Sequence, residues 1–552
     1  MARRGLEDAR RARLLIVPPL LRSPPFPGVA THVAAVSGAG RSAVDPETAF
    51  AAIHAARVGG SFWAPPADLP DRPIIVAVAP REAVVTAALA SLRGEAGRAP
   101  VLLVPDAPWS RRLAPAGVTI VRGDVDPWSL LATDAVVAAL GGEEIAALAA
   151  IAGVPVRGAA PDAAAWLADA SYRDPFARAR ADIGTAVAIL ADWRRQIDAN
   201  RAIAVASGMA RWKRDEIARF LWAPRPRPLR FPRSPARAVA DARASGGGIA
   251  IWPSRVRAEL IDQADAVGVP LHRVEDGFIR SVGLGSALHP PQSVAVDTRG
   301  IHYDPSRASD LEHLLETADM PPELLARAET LVETIVARGI GKYGAGSPQP
   351  VPERARGRRL ILVAGQVEDD MSVLLGGGGI AGNRDLLARA RAMEPDAEIW
   401  FRPHPDIDAG HRRGAVPDAE VLTIADRVVR GGGMAALLDA VDGVHVLTSL
   451  TGFEALLRGR DVTCHGTPFF AGWGLTRDAG LIAERRTRRL TLPELVAGTL
   501  ILYPRYLDPD TGLPCPPEVL VARLGRQARP RATLLTRARG IQGRLARLAR
   551  LR

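Results

Sequence analysis

The chain has 552 residues, 47% of them hydrophobic and 24% charged, which suits a soluble globular protein of three to four lobes and excludes a disordered one. The net charge is +11, and only two of the 71 Lys and Arg residues, Lys213 and Lys342, are lysines. No apolar stretch reaches the roughly 18 residues of a membrane span, the first residues lack a secretory pattern, and Cys464 and Cys515 are too few for a disulfide framework.

Residues 1–190 hold weak α/β patterns such as Pro73-Ile-Ile-Val-Ala-Val78 and Pro100-Val-Leu-Leu-Val-Pro105. Within them, 134–158 lays without a gap on 442–466, and both stretches read strand, turn, helix, short strand. The early copy has Gly141 where the later has Ser449, and Ala146 where the later has Glu454. Residues 1–190 are therefore expected to be a degenerate α/β region, the shell of a first module whose chemistry has eroded. Two ordinary βαβ units sharing a generic pattern are the alternative, and strands at different sheet positions would exclude the repeat.

A helix pair over 191–222 and a Pro/Arg linker from Arg225 lead into a second α/β lobe, which starts at Gly248 and extends to residue 350. Here the run from Val269 to Val274 ends in Glu275-Asp276-Gly-Phe-Ile-Arg280. A carboxylate pair at a strand end can take the proton of an acceptor hydroxyl, and Arg280 can bind substrate charge; an acidic turn is the alternative.

The third lobe, 351–510, places three polar clusters after three apolar runs. Leu360–Gly365 precedes Gln366-Val-Glu368-Asp369-Asp370-Met-Ser372, Glu398–Phe401 precedes Arg402-Pro-His404-Pro-Asp406, and Val444–Leu447 precedes Thr448-Ser449-Leu-Thr451-Gly-Phe-Glu454. Apolar runs ending in polar loops, with helical periodicity between them, describe a parallel sheet, and such sheets bind ligands beyond the carboxyl ends of their strands. At least one of the three carboxylates is expected to face the cleft as nucleophile or base, with a metal site as competitor. Two prolines stiffen the loop that aims His404, and Arg402 beside it suits a phosphate or carboxylate. Ser449 and Thr451 open a helix whose first amides favour an anion, although Ser449 as a plain cap explains the residue type equally well. Gly376–Gly379 lacks the Gly-Lys-Ser/Thr of a phosphate loop and reads as a mobile loop over the cleft.

The tail, 511–552, has ten arginines and no acidic residue from Arg523 onward, with leucines interleaved. It suits an anionic membrane surface. It lacks the interleaved aromatics of a nucleic-acid site, so no nucleic-acid partner is expected.

Several segments together resemble the bacterial capsule-polysaccharide β-Kdo transferases: Glu275–Gly285, Gly300-Ile-His-Tyr-Asp304, Gly365–Ser372, Arg402–Asp406, Thr448–Leu456, Phe470–Leu475 and Tyr503–Pro509. The likeness runs in order from about Ile183 to Leu524. It implies a fold of the α/β class with a GT-B-like pair of Rossmann-type lobes, and a retaining transferase using CMP-β-Kdo without cofactor or metal. By that resemblance Asp370 is the nucleophile and Glu275 or Asp276 the acceptor base. His404 and Ser449 hold the CMP phosphate with Arg402 in support, and Gln366, Thr451, Glu454 and Arg280 complete the donor side. The implied partners are a phospholipid-linked Kdo acceptor and the anionic inner leaflet, with a cytoplasmic, peripheral location on the inner membrane. Larger family members carry two complete modules, whereas one is evident here and resembles the second, so a partner Kdo transferase or a shorter product follows. Another CMP-activated ulosonic acid, or a non-catalytic scaffold, are the alternatives.

Overall fold

A computed structural model describes residues 19–27, 34–36, 45–94, 97–131, 134–138, 142–225, 227–280, 290–342, 344–345, 351–380, 382–408, 412 and 414–526. The N-terminal 18 residues, Gly141, the 281–289 part of the Glu275 motif and the arginine-rich tail from 527 lie outside the described residues. Two compact units divide the chain: residues 1–201 with 221–228, and residues 202–220 with 229–552. The sequence-based boundary at 190 falls inside a helix, Ile183–Arg201, whose buried Ile189, Leu190 and Trp193 make it continuous.

The first unit is built on a five-stranded parallel sheet. Its strands are β1 (Ile74–Val78), β2 (Ala99–Val104), β3 (Thr119–Arg122), β4 (Ala135–Ala138) and β5 (Val156–Arg157), in the order β3-β2-β1-β4-β5. A helix, Glu143–Ala152, joins β4 to β5 and buries Ala146, Leu148 and Ile151. Three further strands, Ala34–Val36, Ala170–Asp174 and Ala179–Ala181, form a separate antiparallel sheet.

The second unit holds two six-stranded sheets. The first begins with β6 (Ile203–Ser207), β7 (Gly248–Ile251) and β8 (Leu271–Asp276), which are parallel, and β9 (Ser293–Asp297), which runs antiparallel to β8. The second sheet is wholly parallel: β10 (Leu360–Ala364), β11 (Glu398–Arg402), β12 (Arg427–Val428), β13 (Gly443–Val446), β14 (Asp461–Cys464) and β15 (Arg477–Asp478), ordered β12-β11-β10-β13-β14-β15. Helices cover it on the face where Ile361, Val363, Ile399 and Phe401 pack on Leu386, Leu387 and Leu447. Burial on both faces explains why these strands read as unbroken apolar runs.

The chain then returns to the first sheet with β16 (Arg505–Leu507) and β17 (Pro514–Cys515), which complete it as β17-β16-β9-β8-β7-β6. Two findings differ from the sequence-based expectation. Only half of this sheet is parallel, and residues 505–524 belong to it rather than to the donor-side lobe or the tail. The last helix, Pro517–Leu524, buries Leu520, Val521 and Leu524, and Glu518 pairs with Arg327 at 2.6 Å. The pair of Rossmann-type lobes is GT-B-like.

β4 occupies in the first unit the position that β13 occupies in the second. Ile74 of β1 lies opposite Ala99 and Ala135, and Ile361 of β10 lies opposite Ile399 and Gly443. Ala135 and Gly443 are also partners in the gapless sequence match. The order β3-β2-β1-β4-β5 thus repeats as β12-β11-β10-β13-β14.

Candidate active site

β8 delivers Glu275 and Asp276 to the cleft end of the first sheet. Asp276 Oδ1 accepts from Lys213 Nζ at 3.1 Å, and Oδ2 accepts from the buried Arg280 Nε at 2.6 Å. Burial alone would raise the Asp276 pKa, but Arg280 and Lys213 outweigh it and hold the carboxyl below its usual range. Glu275 has no such pair of cations. Burial and the adjacent Asp276 charge push its carboxyl up to about 7. The pair that the sequence left open is thereby separated: Asp276 and Arg280 are locked to each other, and Glu275 titrates near neutrality.

Lys213 is held as well as holding. Its ammonium lies 3.6 Å from the centroid of the Trp252 ring. Burial lowers its pKa, and Asp276 and Glu275 oppose that shift.

On the facing lobe the three successive carboxylates point to different tasks. Glu368 accepts from Asn383 N at 3.2 Å, and Asp369 turns outward to Arg412 at 3.1 Å. Asp370 caps the short helix Met371–Gly376, accepting from Ser372 N at 3.0 Å and Ser372 Oγ at 2.8 Å. Its charge is felt at Glu275, Tyr303 and His404, so Asp370 is the carboxylate that faces the cleft. Gln366 is a tie between loops: its amide accepts from Thr448 N at 2.7 Å and donates to Thr448 Oγ1 at 2.9 Å.

Arg402, expected in support of the phosphate, is bonded to backbone. Its guanidinium donates to the carbonyls of Val429, Gly431 and Gly432, at 3.4 Å and 3.2 Å for the first and last, and the residue is buried. Those carbonyls belong to the loop after β12, which has no secondary structure of its own to satisfy them. Arg402 therefore shapes the wall of the cleft.

His404 Nδ1 accepts from Asp406 N at 3.1 Å, which places the ring proton of the neutral form on Nε2. Burial lowers the His404 pKa although Asp406 opposes it. The side chain is thus a neutral N–H donor at pH 7. Ser449 caps the helix Leu450–Leu456: its Oγ accepts from Thr451 N at 3.2 Å and donates to Thr451 Oγ1 at 3.1 Å. Glu454, one turn on, accepts from Lys342 N at 2.7 Å, and burial raises its pKa.

Lys342 sits between the two halves of the site. Its carbonyl accepts from Arg280 N at 2.9 Å while its amide binds Glu454, and its charge is felt at Asp276, His302, His404 and Glu454. Sequence reasoning assigned neither Lys342 nor Lys213. The signal was present: in a chain where nearly every cation is arginine, both lysines lie at this site.

The first half of the glycine run is packed, while Gly378 and Gly379 are exposed. Gly376 and Gly377 are buried, and Gly376 O accepts from Thr467 N at 2.8 Å. A Cβ at Gly376 would lie 3.1 Å from Thr448 Cγ2 and 3.5 Å from Tyr303 O, so close approach explains the residue. Among the described residues no group of three His, Cys, Asp or Glu side chains could hold a metal ion, and no helix is long and apolar enough to cross a membrane.

Two Rossmann-type lobes with a carboxylate on each side, a neutral histidine and a hydroxyl-capped helix define a GT-B-like protein with a polar interlobe site. The model of the capsule polysaccharide biosynthesis protein family matches residues 248–344 and 349–506. The lipopolysaccharide-processing protein LpsZ of Rhizobium meliloti is 39% identical over 310 residues, covering 55% of this chain and 70% of LpsZ. The capsule polysaccharide modification protein LipA of Neisseria meningitidis serogroup B is 38% identical over 349 residues, 63% of this chain and 49% of LipA. Among solved structures, the β-Kdo 2,4 transferase of KpsC from Thermosulfurimonas dismutans superposes with a TM-score of 0.51 at 33% identity, over 58% of this chain and 98% of that one. The chain belongs to the capsule polysaccharide biosynthesis protein family. It spans about half the length of LipA.

Proposed function

We propose that this chain is a retaining glycosyltransferase that moves Kdo from CMP-β-Kdo to a lipid-linked acceptor in capsule linker synthesis. The observation that carries the reading is the pair Asp370 and Glu275, one carboxylate on each lobe, each within electrostatic reach of the other. In the first step an Asp370 oxygen attacks the anomeric carbon, the bond to the phosphate oxygen breaks, and CMP leaves with the electron pair. In the second, the acceptor hydroxyl gives its proton to Glu275 and attacks the same carbon, and the Asp370 carboxylate departs. Two inversions return the original configuration. The His404 Nε2–H and the Ser449 hydroxyl bind the departing phosphate, with Lys342 as the nearby cation. The resemblance to the KpsC transferase supports the sugar.

No metal or cofactor is assigned a part, because Lys342 and the helix start at Ser449 supply what a leaving phosphate requires. Leu374 and Leu375, four and five residues after Asp370, are 63% and 42% exposed, which suits an acceptor with an apolar anchor. A cytoplasmic, peripheral place at the inner membrane and a partner transferase belong to the same proposal. The test is mass spectrometry of acceptor products after incubation with freshly made CMP-Kdo and a Kdo-terminated lipid mimic. Addition of Kdo by the wild type and none by Asp370→Ala supports the reading. No addition by the wild type while CMP still binds turns it to another CMP-activated sugar or to a scaffold.

A further inference from the structure

Four of the five tyrosines are described, and three of them have paired hydroxyls. Tyr172 donates to Leu167 O at 2.8 Å, Tyr503 to Asp297 Oδ2 at 2.9 Å and Tyr506 to Leu500 O at 2.6 Å. The fourth, Tyr303, has its hydroxyl shut off from solvent with no hydrogen-bond partner. An unpaired buried hydroxyl costs stability, and in a native protein such a group calls for a reason beyond packing.

Its surroundings supply one. Tyr303 lies on a turn that Asp297 organises: Asp297 Oδ1 accepts from Arg299 N at 3.0 Å and Gly300 N at 2.7 Å, and Oδ2 accepts from Asp310 N at 2.9 Å. The His302 ring meets the Tyr303 ring edge to face at 5.4 Å and packs on Phe278, so the tyrosine is held on rigid supports. Its carbonyl faces Gly376, the last residue of the helix that Asp370 begins. Burial raises the Tyr303 pKa, and the charges of Glu275 and Asp370 raise it further. The hydroxyl therefore keeps its proton at pH 7 and is a donor without an acceptor, within electrostatic reach of both reacting carboxylates.

We propose that Tyr303 is a catalytic residue whose hydroxyl donates a hydrogen bond to the donor sugar at the carbon Asp370 attacks. For an ulosonic acid, that carbon carries a carboxylate, which must be brought between Asp370 and Glu275. A neutral donor that cannot ionise is the group such a place requires. The inference rests on the transferase reading and adds a sugar contact to it.

The experiment compares the full-length wild type with Tyr303→Phe in four readings: kcat/KM with CMP-Kdo, affinity for CMP, affinity for CMP-Kdo, and Tm. The expected result is a 10- to 100-fold loss in kcat/KM, loss of the tighter binding of CMP-Kdo over CMP, unchanged CMP affinity, and a Tm equal to or above wild type. Tyr503→Phe, which breaks a paired hydroxyl, provides the contrast by lowering Tm. Full turnover in Tyr303→Phe, or an equal loss for CMP and CMP-Kdo, overturns the assignment. A wild type that distinguishes the two ligands while Tyr303→Phe distinguishes them equally well overturns this assignment alone. A wild type that binds CMP-Kdo no more tightly than CMP overturns the donor reading, and the Tyr303 contact with it.

Discussion

Lys213 presses its ammonium on the Trp252 ring, 3.6 Å from the centroid, and from there donates to Asp276 at 3.1 Å. Both contacts depend on a compact cation with a flexible stem, and a planar guanidinium cannot reproduce them in the same volume. Lys213 also lowers the pKa of Glu275, opposing burial and Asp276. In Lys213→Met the acid limb of kcat/KM is expected to move to higher pH, with a loss of about tenfold at pH 7. Lys213→Arg keeps the charge and is expected to return the limb towards wild type with incomplete recovery of rate. A pH–rate profile of the three proteins checks this, and an unmoved limb in Lys213→Met would show Lys213 to be structural alone.

Glu275 makes two predictions that share one sign. A base with its pKa near 7 must lose its proton before it can accept another, so kcat/KM is expected to rise with pH through about 7. Its folded pKa also lies above that of an unfolded glutamate. The stability this provides is complete below the unfolded value near 4.5 and is lost as pH rises through about 7. Glu275→Gln mimics the protonated form at every pH. It is expected to melt higher than wild type at pH 8 and close to it at pH 5, while losing about 100-fold or more in rate.

Arg402 separates a wall residue from a ligand. Its loss strands buried carbonyls at Val429, Gly431 and Gly432. Arg402→Ala is expected to cost about 2–4 kcal/mol of stability in urea unfolding. Calorimetry on the protein that remains folded should give a CMP affinity within about threefold of wild type. A large loss of CMP binding with an unchanged urea midpoint would return Arg402 to the donor.

What could be read from the sequence follows from how each element is buried. β10, β11 and β13 are parallel strands covered on both faces, so each appears as an apolar run with its chemistry just beyond it. β16 and β17 carry no such pattern: they are short and antiparallel, and they come from some two hundred residues beyond β9 in the chain. Asp370 and His404 drew notice in the sequence because each follows the end of an apolar strand. A guanidinium beside a histidine looks the same in sequence whether it meets a phosphate or a carbonyl, and the carbonyl contacts of Arg402 had no local signal. Lys213 stood 63 residues from Asp276, and nothing local announces that contact.

The two matching sheets lead to the last prediction. Aligning β1 with β10 and β2 with β11 by their registers places Ala83 where the second unit has Asp370, and Val104 where it has His404. Pro105-Asp106 stands where Pro405-Asp406 does, and Ala146 where Glu454 does. A sheet that keeps its strand order but has Ala83, Val104, Gly141 and Ala146 where the second unit has Asp370, His404, Ser449 and Glu454 lacks the groups proposed to hold the phosphate. The chain is therefore expected to bind one CMP per molecule. His404→Ala is expected to weaken that binding about tenfold or more, with no second class of site revealed beneath it. Isothermal titration of the full chain checks both points, and a stoichiometry of two, or a residual site surviving in His404→Ala, would show that the first unit still binds nucleotide.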